Sequence, residues 1–218
     1  MKKISLFIYD LDGTLIDSKV DIANSVNFTM SQLGLPRLAD ETIYEFVGHG
    51  VTPLIQQAVE KAGGPEAFPK ALSIFKAHYN EHLLDTTLPF PHVMDVLAHF
   101  QKTPQVVLTN KSQGYAEKII HHLGMLPFLK GVFGGDTTFP KKPDPTIVHH
   151  LMKKHQASPE ETIIIGDSLV DIKTGKNAGI LTRGVLYGFR PRVEMENSGC
   201  DFKIENFREM LGFVKNKE

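Results

Sequence analysis

Two rhythms of apolar and polar residues divide this chain. Ile4 to Tyr9 is a short apolar run that ends at two acids and a glycine, the pattern of a buried strand. From Ser18 to Leu33 the apolar residues Ile22, Ala23, Val26, Met30 and Leu33 recur at helical spacing, and Gly34 and Pro36 supply stop signals. Asp40 is placed to N-cap a second helix carrying Ile43, Phe46 and Val47. Leu54, Ile55, Ala58, Val59 and Ala62 mark a third helix, stopped by Gly63 and Gly64; Ala67, Ala71, Leu72, Phe75 and Leu83 mark a fourth. No strand-like alternation occurs between Asp17 and Asp85. Helices grouped after a single strand predict a small separate helical domain over residues 18–86.

Beyond Leu88-Pro89-Phe90-Pro91 the rhythm changes. A helix with Val93, Leu97 and Phe100 leads into a strand from Gln105 to Leu108, and a helix from Gln113 to Leu123 into a short strand near Val132-Phe133. A helix from Pro145 to Lys154 precedes a strand from Thr162 to Ile165; a helix from Asp171 to Ala178 precedes one from Leu181 to Leu186. Strands alternating with helices predict an α/β fold, a doubly wound parallel sheet of Rossmann-like type built from residues 1–17 and 87–218. Ligands of such sheets bind beyond the carboxyl ends of the strands.

With 218 residues, the chain falls between one domain and two and can bury a sizeable core. A net charge of -1 gives no global positive field, so neither nucleic acid nor an anionic membrane is expected as a partner. Any anionic substrate must be met by local charge. The single cysteine, Cys200, cannot form an internal disulfide, which fits a reducing cytosol. Met1-Lys2-Lys3 and the run after it begin like a signal peptide, but the run is too short and Asp10 and Asp12 interrupt it. With no stretch long enough to span a bilayer, the expectation is a soluble cytoplasmic protein.

The chemistry gathers at the predicted strand ends. Asp10 and Asp12 stand two apart on extended chain, so both carboxylates can face one site before the turn at Gly13. Two close carboxylates repel, which favours a divalent cation or a proton between them. Asp10 can then attack phosphorus and form an acyl-phosphate, while Asp12 gives and takes the proton. A bare Asp-x-Asp also suits an ordinary turn. The full Asp10-Leu11-Asp12-Gly13-Thr14 is more telling, since its four fixed positions coincide in about one window in 10^5 at average residue usage.

At the next strand end, the Thr109 hydroxyl and the Asn110 amide can donate to a phosphoryl oxygen, although a solvated turn would read the same. Lys142, ahead of Pro143-Asp144-Pro145, can neutralise a phosphate or keep Asp10 ionised; alone it reads as a surface lysine. Asp167 follows Ile163-Ile164-Ile165-Gly166, with Asp171 one helical turn on. Asp167 can share a hard cation with Asp10, and magnesium suits so few protein oxygens; the bland alternative is an N-cap. Four strand ends in order supply a nucleophile pair, donors, a lysine and metal carboxylates. A purely structural explanation needs four separate coincidences.

These four motifs resemble those of the haloacid dehalogenase superfamily of phosphohydrolases with a helical cap after the first strand, and the resemblance covers nearly the whole chain. It implies that Asp10 is the nucleophile and a metal ligand. It makes Asp12 the general acid/base, binding Mg²⁺ through its backbone carbonyl. Thr109 and Lys142 become phosphoryl binders, Asp167 the remaining metal carboxylate and Asp171 its outer support. Within the superfamily the chain is most similar to phosphoglycolate phosphatases. That similarity rests on Asp10 to Ser18, Val47-Gly48-His49-Gly50, Thr109-Asn110-Lys111 and Gly134-Gly135-Asp136 before Lys142-Pro143. His92 stands where a glycine is usual, and Tyr9 where phenylalanine is more frequent.

The implied reaction is hydrolysis of a small anionic phosphomonoester, with 2-phosphoglycolate as the substrate expected and a monomer or homodimer as the form. A pyrophosphatase and a sugar-phosphate phosphatase or mutase are the rivals on the same core. Asp12 argues against carbon–halogen cleavage, and the lack of any lysine between Lys19 and Lys61 argues against a Schiff-base phosphonate hydrolase. A non-catalytic binding module would predict loss of Asp10, Asp12, Lys142 or Asp167, and all are present. His49, between two glycines, is a candidate substrate contact from the cap. His78 and His82 have zinc-like spacing without the rest of a zinc motif. Arg190 and Arg192 can meet a carboxylate or serve as surface charge.

Overall fold

The structure, a computed structural model, describes residues 3–213. Met1 and Lys2, the start of the stretch weighed as a signal peptide, lie outside the described residues. Strand β1 (Leu6–Tyr9) leads through the two-residue β2 (Ile16–Asp17) into four helices: α1 (Lys19–Gln32), α2 (Asp40–Phe46), α3 (Val51–Lys61) and α4 (Phe68–His82). The chain returns at β3 (Leu88–Pro89), then alternates through α5 (Val93–His99), β4 (Gln105–Leu108), α6 (Gln113–His122), β5 (Gly131–Phe133) and α7 (Thr146–His155). It continues with β6 (Thr162–Gly166), α8 (Leu169–Ala178), β7 (Leu181–Val185), α9 (Arg192–Glu196), β8 (Phe202–Ile204) and α10 (Met210–Phe213).

The main sheet is parallel throughout, in the order β5-β4-β1-β6-β7-β8. The chain therefore builds outward from β1 to β5, crosses back to the other side of β1, and builds outward again. This reversal leaves a crevice between the carboxyl ends of β1 and β6, where connections diverge. Both faces are covered, as the apolar strands require. Phe7, Tyr9, Ile163 and Ile165 pack with Val93, Leu97, Ala116 and Ile119 on one face; Leu6, Ile8 and Ile164 pack with Ile147, Val148 and Leu151 on the other. Tyr9 keeps its phenol satisfied inside this core, donating to Gln105 Oε1 at 3.0 Å.

The helical insertion packs chiefly through α1 on α4, and its apolar core is continuous with one face of the sheet. Its two ends are tied together. β2 and β3 form a short antiparallel ladder, Ile16 opposite Pro89 and Asp17 opposite Leu88. Just inside it, the buried Asp21 carboxylate accepts from the backbone N–H and the hydroxyl of both Thr86 and Thr87, at 2.6–3.1 Å.

Three local details differ from the sequence expectations. Ala39, not Asp40, is the N-cap of α2, because the Asp40 carboxylate accepts from Asn27 and Arg37 instead. Helix α8 begins at Leu169 rather than Asp171, with Ser168 as its N-cap and Asp171 closing a capping box. A further strand, β8, follows the segment expected to be last.

Candidate active site

Asp10 stands one residue past β1, where its N–H donates to Ile165 O at 2.9 Å and extends the ladder. Its Oδ1 accepts from Leu11 N–H at 2.7 Å and pairs with Lys142 Nζ at 2.9 Å, which fixes the carboxylate at the crevice. The chain can turn there only through Gly13. That residue has φ +80°, and a Cβ on it would fall 2.2 Å from Asp167 Oδ2. The glycine of the motif thus serves both the turn and the close approach of the third acid.

Lys142 reaches in from the loop before α7 and joins Asp10 to Asp171, 2.6 Å away on the first turn of α8. Asp10, Asp167 and Asp171 are all buried, and each offers an oxygen within 4.8 Å of the others. Asp171 lies beside the first two, while its oxygens also accept from Lys142 and from the N–H and hydroxyl of Ser168. Burial, then the Asp171 carboxylate, push Asp10 up to about 7, against the pull of Lys142. Burial, then Asp10 and Asp171, push Asp167 well above the usual carboxylate range despite a hydrogen bond from Phe189 N–H at 2.8 Å. Burial works against the Lys142 ammonium, yet its two carboxylates hold it above its ordinary value. Three buried carboxylates face one ammonium. An all-oxygen donor set with excess negative charge is the kind that a hard divalent cation fits.

Asp12 takes a different set of partners. Its Oδ1 and Oδ2 lie 3.0 and 3.1 Å from Lys111 Nζ, and Ser18 donates to Oδ1. Lys111 in turn donates to Tyr79 Oη at 2.6 Å, from α4 of the insertion. Burial, opposed by Lys111, pushes the Tyr79 phenol up to about 12, and Asp12 and Tyr79 outweigh burial to raise the Lys111 ammonium. Asp10 and Asp12 both line a cavity of about 50 Å³ between the sheet edge and the insertion, together with Thr109, Asn110, Lys111 and Tyr79. The two-apart spacing therefore serves one site from two charge clusters.

Known proteins resemble this chain in sequence and fold. Residues 7–185 match the haloacid dehalogenase-like hydrolase family. A curated relative from Chromobacterium violaceum, named phosphoglycolate phosphatase, is 33% identical, with the match covering 99% of each chain. One of the same name from Aquifex aeolicus is 30% identical over 97% of each. The chain belongs to the haloacid dehalogenase-like hydrolases. Among solved structures, one described as a predicted phosphoglycolate phosphatase from Haemophilus somnus 129PT superposes with a TM-score of 0.92 at 27% identity, covering 97% of this chain and 98% of that one. The family and the fold expected from the four motifs are thus both met.

The remaining expected residues of this hydrolase fall into two groups. Thr109 is buried at the end of β4 and lines the cavity, and its Oγ1 accepts from Lys111 N–H at 3.2 Å. The Asn110 side chain is occupied elsewhere. Its Nδ2 donates to Gly48 O at 3.0 Å and Lys142 O at 3.1 Å, and its Oδ1 accepts from Lys142 N–H at 3.0 Å. Asn110 thus ties the insertion and the Lys142 backbone to the strand end, so its amide is spent on protein and not presented to a phosphoryl group. His49 is exposed, and the flanking Gly48 and Gly50 line the cavity instead. At Gly50, with φ +91°, a Cβ would meet Asn110 O at 2.8 Å, so backbone rather than imidazole closes on the site.

Arg190 is engaged mainly by backbone, although its charge also acts to lower Asp167. Its guanidinium donates to Glu45 O and Val47 O at the end of α2 and holds the insertion to the loop after β7. Arg192 pairs with Glu196 and Glu205 at the surface. His78 and His82 stack on each other on α4 and bond to Ser25 and Asp85. The residues that sequence reasoning left unassigned are Lys111 and Tyr79. Lys111 directly follows Thr109-Asn110, which was a signal; Tyr79 had none, because its partner lies 32 residues away. Among the described residues, no helix is long and apolar enough to cross a membrane.

Proposed function

We propose that this chain is a magnesium-dependent phosphoric monoester hydrolase acting on 2-phosphoglycolate through an aspartyl-phosphate. The observation that carries the reading is that Asp10 and Asp12 face one small cavity while Lys142, Asp167 and Asp171 crowd around Asp10. The Asp10 carboxylate attacks phosphorus, the bond from phosphorus to the ester oxygen breaks, and that oxygen takes a proton from Asp12. Asp12 then takes a proton from water, which attacks the same phosphorus and frees phosphate and Asp10. Lys142 neutralises charge on the transferring oxygens and the Thr109 hydroxyl donates a hydrogen bond to them.

Asp10 and Asp167, with the Asp12 carbonyl, would hold Mg²⁺, and Asp171 would support them through Lys142 and Ser168. The ion, when bound, supplies charge stabilisation for the phosphoryl group. Residues 18–86 serve as a cap that excludes water, over a catalytic core of residues 1–17 and 87–218. The all-oxygen donors support a hard ion such as magnesium over a softer one. A lone cysteine supports a cytoplasmic setting.

Relatives named phosphoglycolate phosphatase support the choice of substrate. The test is phosphate release from 2-phosphoglycolate, pyrophosphate, sugar phosphates and nucleotides in magnesium buffer. The highest kcat/KM is expected with 2-phosphoglycolate; a clear preference for another substrate overturns that choice but not the chemistry.

A further inference from the structure

We propose that Lys111 binds a carboxylate carried by the leaving group, and that Tyr79 of α4 positions it. The inference rests on the phosphatase reading and deepens it by naming the recognition group. Its starting point is distance. The ester oxygen must meet the Asp12 carboxyl to receive a proton. In a phosphorylated 2-hydroxy acid, the carboxylate is separated from that oxygen by a single carbon. Lys111 Nζ, 3.0 and 3.1 Å from the two Asp12 oxygens, is therefore within reach of such a carboxylate.

The ammonium also lines the cavity, where a ligand can reach it. Its three donors meet Asp12 Oδ1, Asp12 Oδ2 and Tyr79 Oη, so a ligand carboxylate would displace one of the two Asp12 oxygens. Lys111 and Tyr79 are both buried, so a charge-assisted bond formed there is little screened by water. Tyr79 is itself held firmly, stacked on Phe75 at 5.2 Å and edge-on to Tyr115 at 5.3 Å. The remaining side chains on the insertion's wall are Ile22, Val47, Val51, Leu54 and Phe75, beside the backbone of Gly48 and Gly50. Sugar or nucleoside hydroxyls set against that wall would lose their partners, whereas a two-carbon acid has only its carboxylate to satisfy.

The test compares 2-phosphoglycolate with ethyl phosphate, which has a methyl group in place of the carboxylate. With the full chain and Mg²⁺, the kcat/KM ratio is expected to be on the order of 10^2 or more in favour of 2-phosphoglycolate. In Lys111→Met it is expected to fall to within a few-fold of one. In Tyr79→Phe, which keeps the ring, the KM for 2-phosphoglycolate is expected to rise several-fold and the ratio to fall part of the way. A role confined to supporting Asp12 predicts the opposite, because ethoxide is the poorer leaving group and would lose at least as much.

A folded Lys111→Met with the wild-type ratio overturns the proposal, as does a wild-type ratio near one. If Lys111→Met does not fold, an unchanged ratio and KM in Tyr79→Phe overturn it. Wild-type enzyme that cleaves neither ester refutes the phosphatase reading as well. Cleavage of both at equal rates refutes carboxylate recognition alone.

Discussion

The two motif aspartates share a cavity but differ in their neighbours, and the neighbours separate their work. Asp10 sits among carboxylates with one buried ammonium, a setting that raises its proton affinity and invites a cation. Asp12 faces Lys111 and Ser18 and lines the same cavity. If Asp12 carries the proton, Asp12→Asn should slow an alkyl phosphate by on the order of 10^2 to 10^4. Nitrophenyl phosphate should lose much less, since its leaving group needs little protonation. The comparison is made by stopped-flow kinetics with phosphoryl transfer rate-limiting for both; equal losses would contradict the assignment.

Among the elements, the joint between sheet and insertion is the most heavily built. Asp21 on α1 accepts four hydrogen-bonding groups from Thr86 and Thr87, so the chain leaves and returns through one clasp beside the β2–β3 ladder. Asp21→Ala strands those buried donors and should cost about 2–4 kcal/mol. A lower urea midpoint with unchanged slope is the expected sign; an unchanged midpoint would mean that the clasp is redundant. None of this clasp was legible in the sequence. Two-residue strands, one containing Pro89, have no periodicity to read, and β8 is only three residues long. The long helices and buried strands were legible to within a residue or two, because apolar spacing alone dictates them. At the site, the acids and Lys142 could be read from their places after predicted strands. Asn110's bonds to Gly48 and Lys142, and Tyr79's to Lys111, join segments far apart in sequence, and local pattern carries no trace of them.

For the molecule as a whole, the strand order decides where chemistry can occur. Reversal of the sheet between β1 and β6 brings Asp10 and Asp167 together from positions 157 residues apart in the chain (167 − 10), and the insertion closes over the same edge. Arg190 and Asn110 pin that insertion from the sheet side, so the cavity belongs to both parts of the chain. Everything in this arrangement converges on a single carboxylate. The most direct test is therefore Asp10→Asn, which keeps size and shape, assayed beside wild type for phosphate release from 2-phosphoglycolate with magnesium present. Turnover should fall by on the order of 10^4 or more while the fold is retained by circular dichroism. Wild-type turnover in the variant would contradict attack by Asp10.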